Sequence, residues 1–374
     1  MYLEITSPRG DRYNSLVQSL EVRIPPDAYP IVIGPCARSR IAEIIADQNP
    51  HARIAVIADR QVADLHLAKL TDALDGEPAV LSFTPGEASK SIQTLELLFD
   101  GLAEAHIGRS DIIITFGGGV AGDLGGFAAA SWLRGVRFIQ VPTTIEAAVD
   151  ASVGGKTAIN HARGKNLVGA FHQPVGVFID TDFLETLPAR DYVAGLAESV
   201  KHAVIRDAAF LDWHERAADS VVRRDAETLE HLIARNCEIK AAVVERDERE
   251  AKLRMILNYG HTIGHALEHL FQYELRHGEC VSLGMAAENA IAVGRGELSS
   301  DVAVRISALL ERLGLPVRLP RPVSARDVAQ ACRMDKKARG GTVRFVLVRA
   351  IGEPWFVDDI RDDEISAALG HIQP

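Results

Sequence analysis

The sequence predicts two domains of different class: an α/β domain over 1–186 built on a mostly parallel sheet, then a mainly α-helical domain over 187–374. Three observations predict it. At 374 residues the chain is long enough for two cores. Its first half alternates short β-branched runs, bounded by Gly, Pro or Asp, with segments of helical periodicity. Past about Leu187 the strand pattern nearly vanishes and helical periodicity takes over.

The strand readings are, in order, "YPIVIG", "RIAVIAD" (53–59), "AVLSF" (79–83), "DIIITFGGG" (111–119), "GVRFIQVPTT" (135–144) and "GVFIDT" (176–181). They are apolar on both faces, as strands covered by helices on either side must be. Segments 38–47 and 92–105 supply intervening helices. In the second half the periodicity predicts helices over 189–205, 225–244, 250–270, 282–294 and 301–313. "RLGLPVRLPRPVS" (312–324) reads as a Pro-punctuated connector and "TVRFVLVRAIG" (342–352) as one late strand. Ligands of open α/β sheets bind beyond the carboxyl ends of the strands.

Bulk properties narrow the function. The net charge is −10, without the basic excess of a nucleic-acid binder, although a few clustered cations still suffice for a small anion. The four cysteines, Cys36, Cys237, Cys280 and Cys332, show no metal or redox spacing, which suits a reducing cytoplasm. The opening "MYLEITSPRGDRYNS" has no apolar core of a signal peptide. The longest apolar tract, 112–133, is interrupted by Asp123 and six glycines, so no membrane span is expected.

"TFGGGVAGD" follows a strand and opens a helix, with Gly117, Gly119 and Gly122 in the GxGxxG spacing that cradles a pyrophosphate. The loop comes late in the domain, after the strand-ending acid Asp59, so it predicts nucleotide binding on a variant topology. "PTTIEAAVDASVGGKTAINHARGKN" then sets Asp150, Lys156, Lys165 and Asn166 among small residues, a composition suited to phosphate or carboxylate recognition.

Four of the thirteen histidines lie in "LNYGHTIGHALEHLFQYELRHGE", at 261, 265, 269 and 277. His261 and His265 are spaced to share a helix face. The cluster is either a set of surface and N-cap histidines or a metal or anion site; the absence of Glu after His261 excludes the HExxH protease pattern. His269 reads as a bystander. "GLAESVKH" offers Glu198 with Lys201 on the same face, either a surface ion pair or a carboxylate drawn inward as a ligand.

Taken with "PGEASKS", "GGGVAGDLGGFAAASWLRG", "GKNLVGAFHQP" and "DKK", these motifs resemble 3-dehydroquinate synthase of the sugar-phosphate cyclase superfamily over roughly 50–355. The resemblance implies a dehydroquinate synthase-like fold, NAD and one divalent metal, zinc or cobalt. It implies conversion of 3-deoxy-D-arabino-heptulosonate 7-phosphate into 3-dehydroquinate and phosphate in the shikimate pathway, by transient oxidation, phosphate elimination, re-reduction and aldol closure. The small phosphorylated sugar acid would be the partner, with no nucleic acid and no membrane, in a cytoplasmic homodimer.

Position by position, the resemblance implies that Glu198, His261 and His277 hold the metal, leaving His265 to proton transfer near the departing phosphate. It assigns the cofactor to Asp59, Glu87, Lys90, Gly118, Gly119, Val120, Asp123, Thr143, Thr144, Lys156, Lys165 and Thr186. It assigns the substrate to Arg134, Asp150, Lys156, Asn166, Lys201, Lys240, Arg254, Asn258 and Lys336 or Lys337, with Arg134 reaching across the dimer. Lys156, Asn166 and Lys201 would hold the phosphate, and Arg254 and Lys240 the carboxylate.

One departure stands out: Glu146 occupies a position where the family commonly has an apolar residue. Arg254, Lys240 and "SVGGKTAIN" point to a carboxylated substrate rather than to a 2-deoxy-scyllo-inosose or valiolone type of cyclase. An amino analogue with the same acid end stays open. Metal-dependent polyol dehydrogenases share the expected architecture, but the lysine-rich positions favour the cyclase.

Overall fold

The computed structural model describes residues 17–25, 27–338 and 343–374, with side chains of 334–338 outside the description. The chain divides into two compact units, one of Met1–Leu187 with Glu230–Arg249, the other of Pro188–Leu229 with Glu250–Pro374.

The first unit contains β1 (Gln18–Ile24), β2 (Asp27–Gly34), α1 (Ile41–Gln48), β3 (Ile54–Asp59), α2 (Arg60–Thr71), β4 (Ala79–Phe83), α3 (Ile92–Glu104), β5 (Ile112–Gly117), α4 (Gly119–Ser131), β6 (Arg137–Pro142), β7 (Lys156–His161), β8 (Gly164–Phe171) and β9 (Gly176–Asp180). Seven strands form one sheet in the order β1-β2-β9-β6-β5-β3-β4. Only the β1–β2 pair in it is antiparallel. Alternate residues of the central strands feed opposite cores, because side chains alternate across a strand. Val56, Ala58, Ile112, Ile114 and Phe116 join one core with α1 and α2 residues. Ala55, Ile57 and Ile113 join the other with Leu95, Leu98, Leu124 and Ala128 of α3 and α4.

Two elements of this unit escaped the sequence pattern. β1 is a half-exposed edge strand with a weak apolar signal. The Gly- and Lys-rich stretch read as a recognition segment folds into the hairpin β7–β8, a separate two-stranded sheet.

The remaining elements are α5 (Ala189–Arg206), α6 (Ala208–Val222), α7 (Ala226–Val244), α8 (His261–Leu270), α9 (His277–Gly294), α10 (Ser300–Arg312), α11 (Ala325–Ala338), β10 (Phe345–Val348), β11 (Pro354–Val357) and α12 (Asp362–Ile372). Within the second unit α9 is central, packed by α5, α8, α10 and α12. The periodicity did not single out α6.

Three sequence expectations are corrected here. The contiguous helical domain gives up 230–249, most of α7, to the first unit, where Cys237 Sγ meets Ala148 O at 3.4 Å and Lys240 pairs with Asp150. An apolar helix face reads the same whichever core it enters. The helix expected over 250–270 is instead a 3-10 turn, Leu253–Asn258, followed by α8, broken where Gly260 takes a left-handed φ of 79°. α9 starts at His277, earlier than the expected 282, which places that histidine in a helix's first turn. Among the described residues no helix is long and apolar enough to cross a membrane.

Candidate active site

In the first unit β5 ends at Gly117, and α4 starts at Gly119 with Gly118 as N-cap and no side-chain cap. The first N–H groups of a helix lack partners within it and suit an anion. The turn must be glycine: Gly117 has φ +150°, and a Cβ at Gly118 would lie 2.9 Å from Thr144 Cγ2. That contact seats the Pro-Thr-Thr turn against it, helped by the bond from Thr143 N to Gly117 O at 2.9 Å. The Thr143 hydroxyl is buried and has no partner among the described residues, an orphaned group that a cofactor atom would satisfy.

Around this turn the cofactor candidates form a braced network. Lys90, buried, donates to Asp123 Oδ2 at 2.6 Å and to Asn166 Oδ1 at 2.5 Å. Glu87 Oε1 lies 3.6 Å from Lys90 Nζ and 3.7 Å from Lys165 Nζ. Burial pushes the Asp123 carboxyl upward, against the Lys90 ammonium. Asn160, not singled out in the sequence, ties these groups together: its Nδ2 donates to Glu87 Oε1 at 2.8 Å and its Oδ1 accepts from Asn166 N at 3.0 Å.

Asp59 caps α2, accepting from Gln61 N at 2.8 Å and Val62 N at 3.3 Å. Thr186 Oγ1 meets His66 Nε2 at 2.7 Å. Val120 lies in the first turn of α4. Lys156 opens β7 with an exposed side chain. Lys240 contacts the Asp150 carboxylate and donates to the Asp150 carbonyl at 2.5 Å. Arg134 is exposed, with a left-handed φ of 69°.

In the second unit three helices bring their side chains to one point. Glu198 of α5 is 1% exposed. Its Oε1 lies 3.4 Å from His261 Nε2 of α8 and 3.3 Å from His277 Nε2 of α9. Their far ring nitrogens face oxygen acceptors: His261 Nδ1 meets Tyr259 O at 3.1 Å, and His277 Nδ1 lies 3.8 Å from Glu268 Oε2. A proton on His261 Nδ1, donated to the Tyr259 carbonyl, would leave the Nε2 lone pair facing the shared point. Two imidazoles and a carboxylate form a donor set suited to zinc or a similar divalent cation.

His265 joins the same cluster: nitrogens of His261, His265 and His277 lie within 4.8 Å of one another. Its ring centre is 5.3 Å from that of His261 and 5.7 Å from that of His277. His269 is exposed. Lys201, one turn along α5, is in direct contact with Glu198 Oε2, and both are buried. Burial alone would raise the Glu198 carboxyl, but the Lys201 ammonium and the two imidazoles hold it well below the usual carboxylate range.

Glycine sets the helix spacing. A Cβ at Gly278 would lie 1.8 Å from Ala194 O of α5, and one at Gly284 would lie 1.9 Å from Gly260 O. Arg254 is buried in the 3-10 turn, and Asn258 Nδ2 donates to Glu250 Oε1 at 3.1 Å. The side chains of Lys336 and Lys337 lie outside the described residues. Sequence reading missed Glu268, Asn160 and His66, whose signal is a polar side chain on a helix or strand, and Tyr259, which lies in the turn between Asn258 and α8.

The fold is shared with 2-epi-5-epi-valiolone synthase from Streptomyces hygroscopicus, solved with NAD+ and Zn2+ bound, at TM-score 0.86 and 29% identity over 94% of this chain and 98% of that one. It is shared equally with 2-deoxy-scyllo-inosose synthase complexed with carbaglucose-6-phosphate, NAD+ and Co2+, at TM-score 0.85 and 27% identity over 94% and 99%. The class is therefore that of the dehydroquinate synthase-like cyclases. A maleylacetate reductase from Agrobacterium tumefaciens, 17% identical at TM-score 0.65, shares the fold alone.

The family models for the 3-dehydroquinate synthase N-terminal and C-terminal regions match residues 80–194 and 195–338. The 3-dehydroquinate synthase of Halorhodospira halophila is 46% identical over 91% of this chain and 96% of its own length. That of Caulobacter vibrioides is 42% identical over 95% and 98%. The chain belongs to the 3-dehydroquinate synthase family.

Proposed function

We infer that this chain carries out the 3-dehydroquinate synthase reaction, converting 3-deoxy-D-arabino-heptulosonate 7-phosphate to 3-dehydroquinate and phosphate with NAD and a divalent metal. The observation that carries the reading is the convergence of His261 and His277 Nε2 on one Glu198 oxygen, at 3.4 and 3.3 Å, within a chain of this family. When bound, NAD supplies reversible oxidation of a substrate hydroxyl, and the metal supplies Lewis acidity that favours its alkoxide.

The chain's own residues do the rest. The α4 N-terminus with Gly118, Gly119 and Val120, the threonines Thr143, Thr144 and Thr186, and the acids Asp59, Glu87 and Asp123 hold the dinucleotide. Lys90 and Lys165 balance those acids. Glu198, His261 and His277 are the metal's ligands. Lys156, Asn166 and Lys201 grip the phosphate, and Arg254 and Lys240 the carboxylate, where a guanidinium suits a two-oxygen contact. Asp150 keeps the Lys240 ammonium in place until substrate arrives. Asn258 and Lys336 complete the substrate shell. His265, grouped with the ligands, passes the proton that accompanies phosphate departure. Holding the reactive intermediate away from water is the larger part of the task.

The working form in this reading is a cytoplasmic homodimer in which Arg134, exposed on the turn that follows α4, completes the partner's site.

The reading is tested by supplying the purified protein with the heptulosonate phosphate, substoichiometric NAD and zinc. Stoichiometric phosphate release, no accumulated NADH and 3-dehydroquinate as product are expected. Net NADH would mark a dehydrogenase. Turnover of only an amino or decarboxylated analogue would assign a sister cyclase.

A further inference from the structure

The helix that carries His261 and His265 starts without a side-chain cap of its own, because Gly260 is its N-cap. Its opening turn is held from α9 instead. Glu288, fully buried, accepts from Gly260 N at 2.6 Å through Oε2 and from Ile263 N at 3.3 Å through Oε1. Asn289, the next residue, accepts from the Tyr259 hydroxyl at 2.6 Å. The Tyr259 carbonyl in turn faces His261 Nδ1. Two consecutive α9 side chains thus grip both ends of the turn from which the first metal-binding imidazole projects.

A buried carboxylate is costly unless donors meet both oxygens. Here the donors are backbone N–H groups at a helix N-terminus, where negative charge is also favoured by the helix dipole. The arrangement caps α8 with a charge borne by the same helix that carries His277, so the cap and one ligand move together.

We propose that Glu288 is a positioning residue for the metal centre: it locks the first turn of α8 and so fixes the direction of His261 towards Glu198 and His277. The inference rests on reading those three residues as the metal's ligands. Glu288 acts through Gly260 and Ile263 and touches neither metal nor substrate.

The test compares wild type, Glu288→Gln and Glu288→Ala as full-length apo-protein, reading zinc affinity by competition with a chromophoric chelator, NAD affinity, and thermal melting. Glutamine keeps the shape but replaces one acceptor oxygen with a donor that opposes a backbone N–H. Glu288→Gln is expected to stay folded, bind zinc about 10-fold more weakly and keep its NAD affinity. Glu288→Ala is expected to lose up to about 100-fold. Zinc affinity of folded Glu288→Gln within twofold of wild type overturns the proposal. So does an unfolded Glu288→Gln, or a parallel loss of zinc and NAD affinity, since either makes the role one of general stability. If wild type itself binds no zinc, the ligand assignment falls, an outcome distinct from equal zinc binding by both proteins.

Discussion

Gly284 lies so close beneath the carbonyl of Gly260 that a methyl group at 284 would come within 1.9 Å of that oxygen. The obstacle is backbone, which cannot rotate aside as a flexible side chain can. α8 and α9 approach this closely because position 284 carries no side chain, and Gly264, whose Cβ would lie 2.9 Å from Cys280 O, serves the same approach from the other helix.

Gly284→Ala is therefore expected to force the two helices apart. Overpacking costs about 1–3 kcal/mol in well-packed cores, and a backbone wall puts this case at the upper end. Zinc affinity should fall along with the melting temperature, because His261 and His277 sit on the separated helices. A variant with wild-type melting and zinc affinity would contradict the close-approach argument.

Lys201→Met removes the ammonium beside Glu198 while keeping volume. Breaking a buried pair by removing one partner costs about 3–5 kcal/mol. The Glu198 carboxyl, now held well below its ordinary value, would rise. A carboxyl depressed in the folded state stabilises the fold above its unfolded value and loses that contribution as pH falls through its folded value. With Lys201 gone the loss starts at higher pH, so the acid limb of zinc binding is expected to move upward. Zinc titrations of both proteins across the acid range check this; an unmoved limb counts against it.

Asn160→Ala unties Glu87 from Asn166 within the first unit. Hydrogen bonds of this kind are worth about 1–2 kcal/mol, so NAD affinity should drop by roughly 5- to 30-fold. Zinc affinity should be unchanged. Equilibrium titration with NAD gives the answer, and an unaltered dissociation constant would remove Asn160 from the cofactor network.

Zinc added to apo-protein at about a hundred times its dissociation constant should stabilise the fold by about 2.7 kcal/mol, and chelator should reverse it. The gain should disappear in His261→Ala. Calorimetry with and without zinc measures it; an equal zinc shift in His261→Ala would place the ion elsewhere.

Much of the first unit was legible because each central strand announces itself locally. "IIITFG" is buried along its whole length, and a short β-branched run closed by a glycine is the local pattern of a strand covered on both faces. The glycine turn was legible for the same reason. The hairpin β7–β8 was not, because Lys156, Gly164 and Lys165 mask the pairing that joins Ala158 to Gly169. In the second unit the break at Tyr259–Gly260 was hidden by apolar residues that continue the helical period across it. The side to which Lys240 belongs was equally hidden, since its helix is apolar whichever core receives it.

By itself the sequence determined which residues are the candidates for chemistry: His261, His265 and His277, the carboxylate of "GLAESVKH", the glycine turn and the family motifs around them. Only the tertiary structure decided that Glu198, His261 and His277, on three helices, meet at one point, that the Tyr259 carbonyl and Glu268 face the far sides of the two rings, and that Glu288 holds the turn from which His261 projects. Residue type and spacing are local information. Convergence depends on how near two backbones can come, and that is set by which carbonyl lies opposite Gly278 and Gly284, a relation that no single segment contains.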